Sequence, residues 1–344
     1  MIDVSFIIVG WNVRDLLDDC LRSVYEETAD ITFEVIYIDN NSHDGSVEMV
    51  REKYPDAIII ENEDNRGFIG ASNQGIEIAR GRYALLLNSD TIVLDGAVQK
   101  TVAFADQHPD AAVFGCRVLN PDRTLQRNCF QFPTLLNLFL KATYLASFFP
   151  KSRFFAQERM GWWDFDEVRE VDSVCGCYSM ARMSAIREVG LMDPTYFVYG
   201  DDPDWCYRFR EAGWKVLFTP VGQIVHYGGQ ATRQTRNLFF LQLWGSHLIF
   251  MRKFRSPLAF RLACLIQALF FALRVPPWLV MAVVKGNRKA SLERAWTCVK
   301  GAWYCLFDWT GLLMNKDVAQ RRLREFRRDG KYAADPVLSP AGAE

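Results

Sequence analysis

The sequence predicts an α/β fold, a mostly parallel sheet flanked by helices, followed by a C-terminal α-helical extension. Three observations carry that expectation. Short apolar strands alternate with helical patterns as far as Gly115, the rhythm of a parallel sheet. One apolar run, Tyr83-Ala84-Leu85-Leu86-Leu87, stops at Asn88-Ser89-Asp90-Thr91, and open α/β sheets bind ligands just outside the carboxyl ends of their strands. Beyond Thr232 the pattern changes to aromatic and aliphatic helices, broken by Arg252-Lys253-Phe254-Arg255, Arg274, Pro276-Pro277 and Lys285.

Taken in order, the strands are Val4 to Val9, Phe33 to Ile38, Ala57 to Ile60, Tyr83 to Leu87 and Ala111 to Gly115. Between the first two, Leu16, Leu17, Cys20, Leu21 and Val24 recur at helical spacing, giving a crossover helix with one apolar stripe. The second strand ends in Asp39-Asn40-Asn41-Ser42, and Asp44-Gly45-Ser46 opens a helix, so polar side chains and free amides collect at one edge. From Pro121 to Val171 the periodicity weakens into an aromatic-rich, irregular segment, read as a region covering the substrate. Pattern returns at Val174 to Met183, in a helix from Pro203 to Ala212 closed by Gly213, and in strand-like Lys215 to Phe218 and Gln223 to His226. The expected division is residues 1–232 as a catalytic domain, 233–332 as a helical membrane-associating or oligomerising region, and 333–344 as a flexible tail.

Composition narrows the partners. A chain of 344 residues, 50% hydrophobic, can bury a full core, and its formal net charge of -1 provides no global field for nucleic acid. Positive charge is instead local: from Lys285 to Lys331 there are twelve Lys/Arg against five Asp/Glu. Nine scattered cysteines read as reduced thiols of a cytosolic setting, with Cys175 and Cys177 as packing residues and a structural zinc site disfavoured. Met1 to Ser5 lacks a basic segment before its apolar run and reads as the first strand, not a secretory signal. Leu262 to Val284 is long enough to span a bilayer but carries Gln267, Arg274 and two prolines. With Trp278, Trp296, Trp303 and Trp309 among basic residues, a helical region lying in the interface of an anionic leaflet fits better. Helices that pack on the catalytic domain or on a second subunit are the plainer reading.

Four constellations carry chemistry. Asp90 stands where a divalent metal could hold a diphosphate, although Asn, Ser and Asp are also ordinary turn residues. The segment Asn65-Arg66-Gly67-Phe68-Ile69-Gly70-Ala71-Ser72-Asn73-Gln74-Gly75 places small residues and amides where a loop feeds a helix, allowing backbone to approach a ligand. It lacks the dinucleotide order G-x-G-x-x-G. In Tyr199-Gly200-Asp201-Asp202-Pro203-Asp204 three carboxylates occupy four positions, an arrangement proteins use for cations or proton transfer, and one that helix capping also explains. His226 ends a strand before Gly228-Gly229; a lone histidine is more often structural, yet neutral imidazole suits manganese and could share an ion with Asp90.

In this order, from Val4 to Gly229, the segments resemble the family 2 glycosyltransferases of the GT-A fold, with its Rossmann-like sheet, and especially bacterial rhamnosyltransferase-like members. The resemblance implies an inverting transfer of a sugar, L-rhamnose or a related one, from a dTDP- or UDP-sugar to a hydroxyl of a lipid-linked or cell-surface glycan, assisted by Mg²⁺ or Mn²⁺. The composition of the C-terminal helices, and not the resemblance, leads us to expect a cytoplasmic enzyme peripheral on the inner face of the cell membrane, with any homo-oligomer formed through those helices, and the near-zero net charge argues against nucleic acid. Asp39 matches the position that binds the pyrimidine base, and Val9, Asn12, Asn65, Arg66, Asn73, Asn88 and Ser89 line the nucleotide. Asp90 matches the last carboxylate of the family's D-x-D motif, whose first Asp is Asn88 here; His226 is the second metal ligand. Asp202 matches the general base, and Asp201 stands where Glu is usual. Asp204 holds the acceptor or caps the helix, and Arg233 and Arg236 close over the diphosphate or are plain surface charge. Competing readings are a sugar-phosphate nucleotidyltransferase, which would want a glycine- and Arg/Lys-rich signature after the first strand, and a non-catalytic nucleotide- or glycan-binding scaffold.

Overall fold

The computed structural model describes residues 1–229, 236–284 and 288–325. The chain forms two compact units: the first takes residues 1–131, 163–193 and 201–234, the second 132–162, 194–200 and 235–344.

In the first unit, β1 (Val4–Gly10), α1 (Arg14–Glu27), β2 (Phe33–Asp39), α2 (Ser46–Lys53), β3 (Ile58–Glu61), α3 (Gly67–Ile78) and β4 (Tyr83–Asn88) alternate as expected. β1, β2 and β4 run one residue further than the apolar run alone indicates, and β3 is shifted by one residue. There follow β5 (Thr91–Leu94), α4 (Ala97–Asp106), β6 (Ala111–Leu119) and the short β7 (Leu125–Gln126) and β8 (Cys129–Phe130). After the excursion into the second unit, which holds α5 (Leu135–Ala142) and α6 (Leu145–Phe148), come β9 (Arg169–Glu170), β10 (Ser173–Val174), β11 (Tyr178–Arg182), α7 (Met183–Val189), α8 (Asp201–Glu211) and β12 (Lys215–His226).

The main sheet runs β3-β2-β1-β4-β11-β6-β12-β5. The β3-β2-β1-β4 half is parallel; β1, β2 and β4 are buried on both faces, which is why they read as unbroken apolar runs, while edge strand β3 is only half-buried. β11 then enters antiparallel to both β4 and β6, β6 and β12 pair parallel, and β5 closes the edge antiparallel to β12. Two expectations are corrected here. Lys215 to Phe218 and Gln223 to His226 are one strand, because a register shift between Phe218 and Gln223 absorbs Pro220 and Gly222 without ending the pairing. Thr91 to Leu94, four residues after a turn, is a strand that its short length hid.

Two devices hold the parallel half together. Buried Glu34 on β2 accepts from the Ser5 hydroxyl (2.6 Å), the Arg80 amide (2.7 Å) and the Arg80 guanidinium (2.6 and 2.8 Å), tying β1, β2 and the α3–β4 turn. Burial alone raises a carboxyl's pKa; these donors outweigh it and hold Glu34 below its usual value. Gly75 is the close-contact point of α3 on the sheet: a Cβ there would stand 2.8 Å from Ile7 and 2.9 Å from Ile38. That glycine is small for helix–sheet packing, whereas the sequence pointed to close approach of a ligand.

In the second unit, α5 (Leu135–Ala142) and α6 (Leu145–Phe148) come from the aromatic segment, and α9 (Arg236–Phe254), α10 (Pro257–Ala272), α11 (Val275–Val284), α12 (Arg288–Phe307) and α13 (Lys316–Glu325) from the C-terminal part. Leu138, Ala142, Leu241, Trp244, Leu248, Phe270, Phe271 and Cys298 share one core. The segment 132–162 is therefore a packed part of this helical unit: Phe132 stacks on Phe250 with ring centroids 5.8 Å apart. Pro257–Val284 together is long and apolar enough to cross a membrane by length and composition, but a turn at Leu273-Arg274 divides it, and Pro276 and Pro277 sit in the first turn of α11, where a missing N–H costs nothing.

Replacing Gly75 with valine sets a gain in helix propensity against two overlaps with Ile7 and Ile38. Overpacking costs about 1–3 kcal/mol, so G75V should unfold at lower urea concentration with an unchanged m-value. Wild-type stability in that variant would show that α3 sits further from the sheet.

Candidate active site

The sheet delivers its polar residues to one edge. At the ends of β1 and β2, Asp39 is buried, accepting from the Tyr37 hydroxyl (2.7 Å) and the Ser42 amide (2.8 Å). Gly10 has no room for a side chain, since a Cβ would fall 2.7 Å from that same Tyr37 oxygen. Asn12, with φ 52°, links the two loops: its amide donates to Ser42 Oγ (3.0 Å) and its Oδ1 accepts from His43 (2.8 Å). Val9, half-buried, pairs with Asn88 across the β1–β4 ladder.

Asn40 joins this edge to the start of α3. Its Nδ2 donates to the Gly67 carbonyl (3.0 Å), and its Oδ1 accepts from Asn62 Nδ2 (3.0 Å), which also bonds Gln74 (3.0 Å). Asn65 caps the turn by accepting from Gly67 N–H (2.9 Å), and Arg66 is exposed beside Asp64. Asn73, expected to line the nucleotide, spends both ends of its amide on Met192: Nδ2 to the carbonyl at 2.8 Å, Oδ1 from the amide at 3.1 Å. Its role in the structure is to pin the 191–193 loop to α3.

Asp90 and His226 meet because β5 and β12 pair in a register that sets Thr91 opposite His226, with Tyr227 N–H bonding the Asp90 carbonyl at 2.9 Å. His226 Nε2 lies 3.2 Å from Asp90 Oδ1 and 3.3 Å from Asn88 Nδ2; both His226 and Asp90 are nearly buried. On the other side of the ring Nδ1 is 2.6 Å from Gln126 Oε1. The orientation of the Gln126 amide is fixed, because its Nε2 donates to the His226 carbonyl (3.1 Å) and to Asn120 Oδ1 (2.9 Å). Asn120 is fixed in turn by its own Nδ2 on Thr124 Oγ1 (2.9 Å). Gln126 therefore presents an acceptor, Nδ1 carries a proton, and Nε2 directs its lone pair at a carboxylate. Two electron-rich atoms at that separation need a positive charge between them, a proton or a cation. Burial disfavours the imidazolium, but the Asp90 hydrogen bond and charge outweigh it and raise the His226 pKa.

A carboxylate oxygen with an imidazole nitrogen is a donor set that fits manganese. Among the described residues no group of three or more His, Cys, Asp or Glu is placed to hold a metal. An ion at Asp90 and His226 would keep its other positions for phosphate oxygens and water, as diphosphate-binding magnesium and manganese sites do. Ser89, between Asn88 and Asp90, is buried.

The acidic turn arrives one strand away. Asn88 N–H bonds the Cys177 carbonyl at 3.3 Å, linking β4 to the Cys175-Gly176-Cys177 turn before β11. Gly176 N–H in turn bonds Asp202, and a Cβ on Gly176 would fall 2.9 Å from Asp202 Oδ1 and 3.7 Å from the Phe68 ring. Glycine at 176 thus makes the seat for that carboxylate. Cys175, half-buried, lies within electrostatic reach of Asp90 and His226 and of Asp201 and Asp202, so the two groups share one neighbourhood.

Within the turn the three acids differ. Asp201 is buried and Asp202 partly exposed, so Asp202 is the one a substrate can reach. Burial raises Asp201 to about 7 against the lowering effect of amides at the start of α8. Asp202 lies well above the ordinary carboxylate range, through burial first and then the Asp201 charge. Asp204, 1% exposed, pairs with Arg208 (3.0 Å), whose guanidinium also bonds the Val189 and Leu191 carbonyls. Asp204 is thereby a fastener for the 189–191 loop. Arg233 lies outside the described residues; Arg236 opens α9 in the second unit, and its side chain is outside them too. Gln126 and Gly176 escaped the sequence reading, since a solitary glutamine and a glycine between cysteines carry no local signal. Asn40 was visible only as part of a strand-ending turn.

The hydrogen-bond chain from Asn120 through Gln126 makes a measurable statement. Above the raised His226 pKa, long-range ¹H–¹⁵N spectra should show the neutral ring with its proton on Nδ1 in the wild type, and a tautomer mixture in Q126L. An Nε2–H ring in the wild type would reverse the assignment.

The glycosyl transferase family 2 model matches residues 5–190. Over 212 residues the chain is 26% identical to the N-acetylglucosaminyl-diphospho-decaprenol L-rhamnosyltransferase of Mycobacterium tuberculosis, covering 58% of this chain and 67% of that protein. It is 30% identical over 117 residues to the poly(ribitol-phosphate) beta-glucosyltransferase of Bacillus spizizenii, 33% of this chain and only 18% of that one. Among solved structures, a mannosyltransferase from Pyrobaculum calidifontis in complex with GDP-Man and Mn²⁺ superposes with a TM-score of 0.53 at 17% identity, covering 89% of this chain and 87% of that one. That likeness shows the fold. Since the family model takes in more than half of the 344 residues and the sheet with its flanking helices has the matching architecture, the chain belongs to glycosyl transferase family 2 and has the GT-A fold.

Proposed function

We propose that this glycosyltransferase moves a sugar, L-rhamnose, with inversion from a nucleotide diphosphate donor, a dTDP- or UDP-sugar, to a hydroxyl of a lipid-linked glycan at the cytoplasmic face of the cell membrane. The observation that carries the reading is the seat of Asp202 on Gly176, one strand from the Asp90–His226 pair. The sugar and acceptor are supported by a relative named for transfer of L-rhamnose and for a diphospho-decaprenol glycan.

The residues divide the work. Asp39 offers its remaining acceptor capacity to the base at the ends of β1 and β2, with Asn12 and Asn40 holding the surrounding loops. Asp90 and His226 would hold Mg²⁺ or Mn²⁺, which stabilises negative charge on the departing diphosphate as a Lewis acid. Asp202 takes the proton of the acceptor hydroxyl as it attacks the anomeric carbon from the face opposite the leaving group. One displacement of this kind inverts the anomeric centre. The raised Asp202 pKa suits the role, because higher proton affinity gives a carboxylate more driving force to accept a proton from a hydroxyl. Asp201 tunes it by charge. Asp204, committed to Arg208, keeps the loop before it in place.

A panel of nucleotide sugars with Mn²⁺, read by nucleoside diphosphate release and by thermal shift, tests class and donor together. D202N should retain nucleotide binding and lose roughly 10²–10⁴-fold in turnover, whereas a binding scaffold would lose nothing. D90N should lose the Mn²⁺-dependent thermal shift itself.

The acid limb of kcat/KM gives a second test. Activity requires ionised Asp202, so it rises with pH through that group's raised pKa. Removing the neighbouring charge in D201N lowers the Asp202 pKa and moves the limb to lower pH; an unmoved limb means Asp202 is not the group being titrated.

A further inference from the structure

The second unit leaves unusual apolar surface uncovered. Along α10 and its C-cap, Leu258, Leu262, Leu265, Leu269 and Leu273 are all exposed at spacings of four and three residues. Along α12, Leu292, Trp296, Val299, Trp303, Leu306 and Phe307 repeat the pattern, with Trp296 61% and Phe307 72% exposed. Between them in the chain, α11 exposes Leu279, Val280, Val283 and Val284. On α10 and α12 the exposed stripe lies opposite a buried one: Ala263, Gln267, Phe270 and Phe271 on α10, Ala295, Cys298, Gly301 and Cys305 on α12. α10 and α12 pack closely enough that a Cβ on Gly301 would be 2.7 Å from the Phe271 ring. A helix on a water-facing surface presents one apolar stripe to its core and polar residues to solvent. These present apolar residues both ways, and contiguous exposed apolar surface marks an interaction site.

Charge identifies the occupant. From Arg252 to Phe307 the sequence holds ten Lys/Arg and a single acid, Glu293. Arg261, Arg288, Lys289 and Lys300 are exposed among the apolar stripes. In a symmetric dimer the same patch meets itself, so this face would set like charges together. An anionic leaflet attracts it instead. Trp278, with Arg294 over its ring at 4.6 Å, and exposed Trp296 and Trp303 are the amphipathic aromatics that settle at headgroup level.

We infer that α10, α11 and α12 form a monotopic docking face that lies in the interfacial layer of an anionic phospholipid bilayer, parallel to its plane and not across it. A spanning helix meets lipid or other spanning helices over its whole length. α10 has one side committed to the protein core, and at its end the Arg274 guanidinium packs over Phe270 and Tyr144 while bonding the Ala142 and Lys141 carbonyls. The inference deepens the membrane-located reaction proposed above and rests on it for the place of the acceptor.

The full chain, mixed with phosphatidylcholine vesicles with and without phosphatidylglycerol, should sediment only with the anionic ones, less as salt rises, and should leave cell membranes on alkaline carbonate washing. W296E with W303E should partition roughly tenfold or more weakly, because charge on an inserted apolar face opposes burial, yet transfer sugar to a soluble short-chain acceptor as the wild type does. Equal sedimentation with neutral vesicles, binding unaltered by the double substitution, or retention after carbonate would each overturn it. So would a doubled molar mass in light scattering that the substitutions abolish, which would assign the face to a second copy. Vesicle binding without sugar transfer from any donor would sink the catalytic reading and leave this one standing; transfer without vesicle binding would do the reverse.

Discussion

The antiparallel pairing of β5 with β12 is the constraint on which the site depends. Asp90 lies in the turn just before β5, and His226 ends β12 more than a hundred residues later; the register that sets Thr91 against His226 brings their side chains to 3.2 Å. A slip of one residue would turn His226 to the opposite face of the sheet. The hairpin of β6 and β7 then supplies Gln126, so that a single sheet edge fixes both position and tautomer of the histidine. Buried polar groups need their full set of partners, and here the set is completed on one side by amides and on the other by a charge.

Glycine and burial do comparable work around the acidic turn. Asp202 has a place because Gly176 has no side chain, and its proton affinity is high because burial and Asp201 make its charge expensive. Like charges gathered in one turn are costly in a merely structural helix start, where one capping acid suffices. Asp204 shows what a structural acid looks like in the same turn: nearly inaccessible, ion-paired and tied through Arg208 to backbone carbonyls. Residues adjacent in sequence thus divide into a pair of raised proton affinity and an anchor according to what each one touches.

Much of the fold was legible because parallel strands buried on both faces leave an unmistakable apolar signature, and because crossover helices repeat at 3.6 residues. The weaker elements failed for identifiable reasons. β5 is too short to show periodicity, β12 contains a proline and a glycine that ordinarily end a strand, and the 132–162 segment builds helices whose apolar residues serve a core formed by distant sequence. The Asn65–Gly75 motif carries no sign that the Asn73 amide bonds Met192, a partner 119 residues away.

By itself, the sequence determined the parallel half of the sheet, the carboxylate at the end of β4, the acidic helix start and the basic, tryptophan-rich character of the last third, since each is a local pattern of residue types. Tertiary structure decided which of these meet. Proximity of Asp90 to His226, the seat of Asp202 on Gly176 and the proton on Nδ1 of His226 all arise from contacts between strands far apart in the chain, where periodicity carries no information. The same holds for α10 and α12: both stripes on each helix are apolar in sequence, and only packing of one stripe into the core reveals that the other is left uncovered.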